Sequence, residues 1–84
     1  QPVSIAVKSY KSRWGSCTSE GRITYNWKII VAPPEIVDYV VVHELCHLLE
    51  LNHSRAYWDL VRRVIPDYRE AKKWLRENGH LLEV

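Results

Sequence analysis

The chain has 84 residues, of which 46% are hydrophobic, and twelve Lys and Arg against ten Asp and Glu give it a net charge of +2. This length allows one small domain, and four Trp and five Tyr favour a packed core over disorder. The mild positive charge does not require a nucleic-acid partner, and no apolar run reaches the roughly 18 residues of a membrane span.

The first third of the chain predicts a small β-sheet. Val3, Ile5 and Val7 alternate with polar residues, so we predict a strand over about residues 3–9. A second strand is predicted over about residues 23–31, where β-branched and aromatic residues are concentrated. The stretch between them contains Gly and Ser residues that favour a turn. We therefore expect a hairpin or a short antiparallel sheet.

Two prolines separate this sheet from the rest of the chain. Pro33 and Pro34 end the second strand, because the residue before a proline resists the helical conformation. Proline fits the first turn of a helix, so we predict a helix over about residues 34–49.

Two further helices are predicted after the first. Ser54 can cap a helix over about residues 55–65, which Pro66 ends. A capping box formed by Asp67 and Glu70 predicts a third helix over about residues 67–78, before the Asn78-Gly79 stop. Without repeats or a flexible linker, the chain is expected to be one α+β domain over residues 1–84.

The first predicted helix carries His43-Glu44-Leu45-Cys46-His47. Because a helix turns about 100° per residue, His43 and His47 lie on one face, one turn apart, and can reach the same ion. Catalytic zinc takes three protein ligands at about 2 Å and keeps a fourth position for water, whose proton Glu44 could take as general base. Two core histidines satisfied by their neighbours are the alternative, which explains the pattern less well because buried ionisable groups are costly without partners.

His53 is the predicted third ligand. If the helix continued, His53 would lie about 9 Å along its axis from His47 and face away, so the helix must end between them. Asn52 tolerates the conformation that ends helices, and a reversal near residues 50–53 is expected. The spacing equals that of metzincins, but the chain has no Met and carries Glu50 where those enzymes have glycine. The competing third ligands are Glu50, Asp67 and Glu70.

The two cysteines are expected to be reduced. No signal peptide is visible, so a cytoplasmic location is expected, although Gln1 indicates an excerpt of a longer protein. Cys17 and Cys46 could form a structural zinc site, but that would leave Glu44 without a task. Small buried hydrophobic side chains are the preferred interpretation.

Six motifs follow one another over about residues 10–79: Arg13-Trp14-Gly15-Ser16-Cys17, Asn26-Trp27, Ala32-Pro33-Pro34, Tyr39 to His47, Asn52-His53-Ser54 and Tyr57-Trp58. Together they resemble the YgjP-like metallopeptidase domain, a relative of the WLM and SprT-like domains. The resemblance implies a zincin-like fold, a peptide or protein substrate, and one zinc ion held by three histidines with a glutamate as catalytic base. These residues are His43, His47, His53 and Glu44.

The resemblance also implies a strand that binds the substrate. In zincins an edge strand lies over the active-site helix and adds an extended peptide through backbone hydrogen bonds. We expect this strand at Ile23–Trp27. Asn26 could offer its amide to the substrate backbone, or it could simply end a β-ladder or cap a turn. Arg13 could stabilise an oxyanion or pair with an acidic surface group, and the structural role is favoured.

A nucleic-acid-associated module with a mainly structural zinc site is the alternative function. Basic residues that could contact phosphates are Lys8, Lys11, Arg13, Arg62, Arg63, Arg69, Lys72, Lys73 and Arg76. Acidic residues are interspersed among them, as on solvated helix faces, so this alternative is not favoured. The sequence therefore predicts a zinc-dependent hydrolase, a metallopeptidase, with no membrane partner.

Overall fold

The computed structural model describes residues 3–10 and 13–78 and begins with a sheet of three strands. The strands are β1 (Ser4–Lys8), β2 (Gly15–Cys17) and β3 (Arg22–Asn26), and their order in the sheet is β1-β3-β2. The central strand β3 pairs in parallel with β1 and antiparallel with β2. The predicted antiparallel pairing is therefore present, but between a different pair of strands.

The parallel pairing of β1 corrects the expected hairpin between the two predicted strands. The stretch that was expected to be a turn forms β2, whose Gly15 lies so close to β3 that a Cβ atom there would be 2.6 Å from the carbonyl oxygen of Thr24. The turn is confined to the residues around Gly21, which has a φ of 84° and donates its N–H to the carbonyl of Thr18. The strand β2 pairs with one edge of β3 in the antiparallel direction, and β1 pairs with the other edge in the parallel direction.

The third strand ends at Asn26, five residues before the predicted boundary at 31. The Asn26 side chain accepts a hydrogen bond from the backbone N–H of Lys28 at 3.1 Å. This local bond caps a 3-10 helix (Trp27–Val31) and competes with continuation of the β-ladder. The β-branched residues that suggested a longer strand therefore lie in a helical turn.

Three helices follow: α1 (Pro34–Cys46), α2 (Arg55–Val64) and α3 (Tyr68–Asn78). The predicted α+β order, a small sheet followed by three helices, is confirmed. The side chain of Ser54 caps α2 by accepting a hydrogen bond from the N–H of Tyr57 at 3.3 Å, as its residue type indicated. None of the helices in the described ranges is long and apolar enough to cross a bilayer.

The helix α1 ends three residues before the predicted boundary at 49. His47 is its C-terminal capping residue, and the N–H of His47 bonds to the Glu44 carbonyl at 3.1 Å, a tighter turn than the α-helical one. This early end starts the reversal that leads to α2.

The core forms around α1, which contacts β2, β3, α2 and α3. The fully or nearly buried residues of this core include Ile36, Tyr39, Val40, Tyr57 and Val61. All residues of β1 are exposed, so this strand lies outside the core. The helix that carries the candidate ligands is thus held on several sides by packed elements.

Candidate metal centre

The three histidines predicted as ligands come together. His43 and His47 lie one turn apart at the end of α1, and His53 lies in the segment between α1 and α2. One possible ligand nitrogen from each ring lies within 4.8 Å of the others, and the Nε2 atoms of His47 and His53 are 3.0 Å apart. These three form the one group of possible metal ligands among the described residues.

The spacing and chemistry of the three rings fit a zinc-like ion. Zinc–nitrogen bonds of 2.0–2.1 Å put the nitrogens of a tetrahedral site about 3.3 Å apart. The His47 and His53 nitrogens are already near that spacing, and since no two of the three ligand atoms are more than 4.8 Å apart, small side-chain rotations are enough to bring all three to one ion. Imidazole ligands suit zinc and its first-row neighbours, whereas magnesium and calcium prefer oxygen.

The imidazole of His47 has a fixed orientation. Its Nδ1 lies 3.0 Å from the main-chain carbonyl of Glu50, and since a carbonyl accepts, Nδ1–H is the donor. This tautomer leaves the lone pair of Nε2 directed towards His53. The imidazole of His47 also stacks on the ring of Tyr57. The two ring centroids are 4.3 Å apart, and the angle between the ring planes is 20°. The main chain of Glu50, whose carboxylate was considered as a competing ligand, thus orients the ring of a candidate ligand.

His53 reaches the group because the chain reverses after α1. The N–H groups of Leu48 and Leu49 bond to carbonyls three residues earlier, which closes tight turns there. The His53 ring stacks on Trp58 of α2 at 5.6 Å and 22°. Burial, and then the neighbouring His43 and His47, lower the pKa of His53. The neutral imidazole, which is the form that binds metals, is therefore favoured.

Glu44 is a buried carboxylate beside the histidine group. Its side chain is 6% exposed, and Oε2 lies 3.3 Å from Nδ1 of His43. Gly15 of β2 lies directly against it, since a Cβ at Gly15 would be 3.3 Å from Cγ of Glu44. Burial, and then the charge of Glu44, raise the pKa of Tyr25 to about 12. The carboxylate is thus enclosed between α1 and the edge of the sheet.

Two phenols fix the backbone of α1, and nothing in their sequence positions distinguishes them from ordinary core aromatics. Tyr57 of α2 donates to the carbonyl of His43 at 2.6 Å. Tyr25 of β3 donates to the carbonyl of Val41 at 2.9 Å. The His43 carbonyl lies in the last turn of α1, where helix carbonyls lack intrahelical partners. Both bonds hold α1 in place next to the ligands.

The other candidate ligands lie elsewhere. Asp67 and Glu70 line a separate cavity with Trp74, and neither they nor Glu50 contribute a carboxylate to the histidine group. Cys46 is buried in the core and Cys17 is half-buried on β2, and both are free thiols. Neither cysteine belongs to the group of possible metal ligands found among the described residues, which does not favour the alternative zinc site built on them.

The two residues considered as possible substrate contacts, Asn26 and Arg13, both have contacts within the fold. Asn26 is 1% exposed, and its Nδ2 donates to the carbonyls of Tyr10 and Arg13 while its Oδ1 accepts from Lys28. These bonds use both N–H donors of the amide, and the side chain is buried, so its contacts are those of a structural residue. The exposed guanidinium of Arg13 lies over the ring of Tyr10, 5.7 Å from its centroid. Neither residue belongs to the histidine group.

The strand that lies over the site is β2, which corrects the expectation of Ile23–Trp27. Both edges of β3 are occupied, one by β1 and one by β2. Within the part of the chain that is described, β2 has no strand on its other edge, and its Gly15 contacts Glu44. The sequence did not identify β2 because three residues with Gly and Ser resemble a turn.

The basic residues considered for nucleic-acid contact are exposed wherever they are described. Arg62 pairs with Asp59 at 2.7 Å, and Lys72 lies 4.3 Å from the centroid of Trp58. Lys11 lies outside the described residues. These contacts are those of a solvated surface with mixed charges.

Comparisons with known proteins agree with this arrangement. The family model of the YgjP-like metallopeptidase domain matches residues 1–78. The fold is similar to the crystal structure of the metallopeptidase zymogen of Pyrococcus abyssi abylysin, with a TM-score of 0.71 and 29% sequence identity over 87% of this chain and 71% of that chain. No curated protein matches the chain. The resemblance and the fold class predicted from the sequence are confirmed.

Proposed function

The chain belongs to the YgjP-like metallopeptidase domain family, and from this premise we propose that it hydrolyses peptide bonds with a zinc ion held by His43, His47 and His53. The observation that carries the proposal is the convergence of three imidazole nitrogens within 4.8 Å beside a buried carboxylate. Three neutral imidazoles leave a fourth position on zinc open, as in catalytic rather than structural sites.

Glu44 is proposed as the general base. When bound, zinc supplies a Lewis acid that polarises the scissile carbonyl and acidifies water. Glu44 takes a proton from the attacking water and later delivers it to the leaving amine. Its side chain is next to a ligand but is not part of the ligand group, which is what the role requires. Only 6% of the Glu44 side chain is exposed, so the carboxylate has little contact with bulk water.

We propose β2 as the strand that binds the substrate. Its free edge can add an extended peptide, because backbone N–H and C=O groups then pair with little demand on sequence. Gly15 of this strand lies next to Glu44, so a peptide added along β2 passes close to the proposed base.

The substitution Glu44→Gln tests the proposal. It keeps the shape of the side chain but cannot accept the proton, so hydrolysis of a peptide library should fall by about 10²-fold or more. Zinc content, measured by elemental analysis, should stay at one equivalent. The matched control is Glu50→Gln, because Glu50 contributes its carbonyl and not its carboxylate to His47. Unchanged turnover in Glu44→Gln would remove Glu44 from the mechanism.

A further inference from the structure

A cavity of about 80 Å³ opens beside His43 and Glu44. It lies between three parts of the fold, namely the site helix α1, helix α3, and the residue that precedes β2. The residues that complete its wall are Trp14, Tyr39, Val40 and Leu75.

The wall of this cavity suits an uncharged apolar group. Val40, Leu75 and the ring of Trp14 are apolar, and burial raises the pKa of Tyr39 well above its usual range, so its phenol stays neutral. Glu44 is the one carboxylate on the wall, and it faces Nδ1 of His43 at 3.3 Å. A cationic group in the cavity would pair with Glu44 and withdraw it from proton transfer.

The volume limits what can enter. A dry apolar cavity of about 150 Å³ accommodates benzene in another protein, so a cavity about half as large suits three or four aliphatic carbons better than an aromatic ring. Leu75 is the aliphatic wall contributed by α3 and is 8% exposed, so its size directly limits the space.

The position of the cavity relates it to a bound peptide. Trp14 immediately precedes β2, and Gly15 contacts Glu44, so the cavity lies at the Gly15 end of the proposed substrate strand. A peptide paired with β2 passes Glu44 and then reaches the cavity. The side chain nearest the reacting bond is therefore the one that can enter it.

We propose that this cavity selects substrates with a short branched aliphatic side chain, such as Val, Leu or Ile, next to the cleaved bond, and that Leu75 determines its size. The inference rests on the proposed peptidase function and adds the class of peptide. Aromatic side chains are excluded by volume, and basic ones by their effect on Glu44.

The test measures binding of inhibitors to the zinc-loaded protein by calorimetry. Three succinyl hydroxamates differ only in the side group next to their amide, which is methyl, isobutyl or benzyl, and the hydroxamate chelates the zinc in each. We expect the isobutyl compound to bind about tenfold more tightly than the other two. This is the size of effect that a few extra carbons produce in an apolar pocket. In Leu75→Ala the benzyl compound should gain about tenfold relative to isobutyl.

The control is Leu60→Ala, the same change in α2 at a residue that borders a different cavity. It should leave the order of the three compounds unchanged. If Leu75→Ala does not fold, Leu75→Val makes a smaller change at the same wall and should shift the preference in the same direction.

The outcomes separate the two proposals. Equal affinity of the three compounds, or an equal shift in Leu75→Ala and Leu60→Ala, overturns the cavity as a specificity site while leaving the zinc site intact. Failure of the protein to bind zinc, or of acetohydroxamate and all three compounds to bind the zinc-loaded protein, overturns the proposed function together with this inference.

Discussion

The hydroxyl of Tyr57 in α2 donates a hydrogen bond of 2.6 Å to the main-chain carbonyl of His43 in α1. The same ring stacks on the imidazole of His47 at 4.3 Å. One fully buried side chain therefore positions both of the helical histidines. Burial raises the pKa of Tyr57 far above its usual value, so the hydroxyl remains a donor throughout the neutral pH range.

We predict that Tyr57→Phe weakens both the fold and the metal site. The ring still stacks on His47, but the His43 carbonyl loses its partner, which should cost about 1–3 kcal/mol in the free energy of unfolding. Zinc affinity should fall about 10-fold or more, as for other groups that orient ligands. Urea denaturation and a zinc competition assay measure the two effects.

The matched control is Tyr25→Phe, which removes the bond to the Val41 carbonyl, a residue that is not a candidate ligand. A similar loss of stability with a smaller loss of zinc affinity is expected. Equal affinity losses in the two variants would contradict a specific role for Tyr57.

The substitution His53→Ala should reduce zinc binding sharply. It removes one of three converging imidazoles, so we expect the affinity for zinc to drop by about 100-fold or more. This loss is larger than the one that typically follows removal of a group that only orients a ligand. Elemental analysis after dialysis against a weak chelator measures the retained metal. Asn52→Ala, at the preceding residue, controls for disturbance of the reversal. A full equivalent of zinc in His53→Ala would show that another residue supplies the third ligand.

Gly15→Ala should displace β2 from the site. The new Cβ would lie 2.6 Å from the carbonyl oxygen of Thr24, a backbone atom that cannot move without disturbing the pairing of β2 with β3. We expect a loss of about 1–3 kcal/mol in stability, as for overpacked sites, and slower peptide hydrolysis. Thermal unfolding and a peptidase assay test this, with Ser16→Ala as the control on the same strand. Wild-type behaviour of Gly15→Ala would argue against close packing of β2 over Glu44.

Cys17 offers an independent measure of the charge on Glu44. Burial, and then the nearby Glu44 carboxylate, raise the pKa of the Cys17 thiol. A negative neighbour disfavours the thiolate, so in Glu44→Gln the pKa of Cys17 should fall and more thiolate should be present at about pH 8. Alkylation by iodoacetamide, followed by mass spectrometry, should therefore be severalfold faster in Glu44→Gln. Glu20→Gln is the control, and equal rates in both variants would mean that Glu44 carries no charge that Cys17 senses.

Asn26→Ala should destabilise the fold without a specific effect on substrate binding. Its buried amide makes three hydrogen bonds, to Tyr10, Arg13 and Lys28, and loss of them should cost about 2 kcal/mol or more. Urea denaturation measures that loss, and KM of the folded fraction should stay unchanged. A raised KM with normal stability would restore the substrate role expected from the sequence.

The sequence was sufficient where the relevant geometry is local. His43 and His47 share a face because of the helical period, Pro33 and Pro34 start α1, and Ser54 caps α2, as residue types and spacing indicated. The need for a reversal before His53 also followed from helix geometry. Each of these features depends on residues within about one or two turns of one another.

The tertiary structure decided the features that depend on distant residues. The parallel pairing of β1 with β3, the hydrogen bond from Asn26 to the Tyr10 carbonyl, and the bond from Tyr57 to the His43 carbonyl join residues that lie 14 or more positions apart. A short strand such as β2 has too little sequence pattern to be distinguished from a turn, and it becomes a strand because Gly15 allows it to pack against β3 and Glu44. The sequence thus determined which side chains could hold and use a metal. Packing of the sheet and of α2 and α3 determined how they are oriented and which cavity lies beside them, because long-range contacts leave no periodic pattern in the chain.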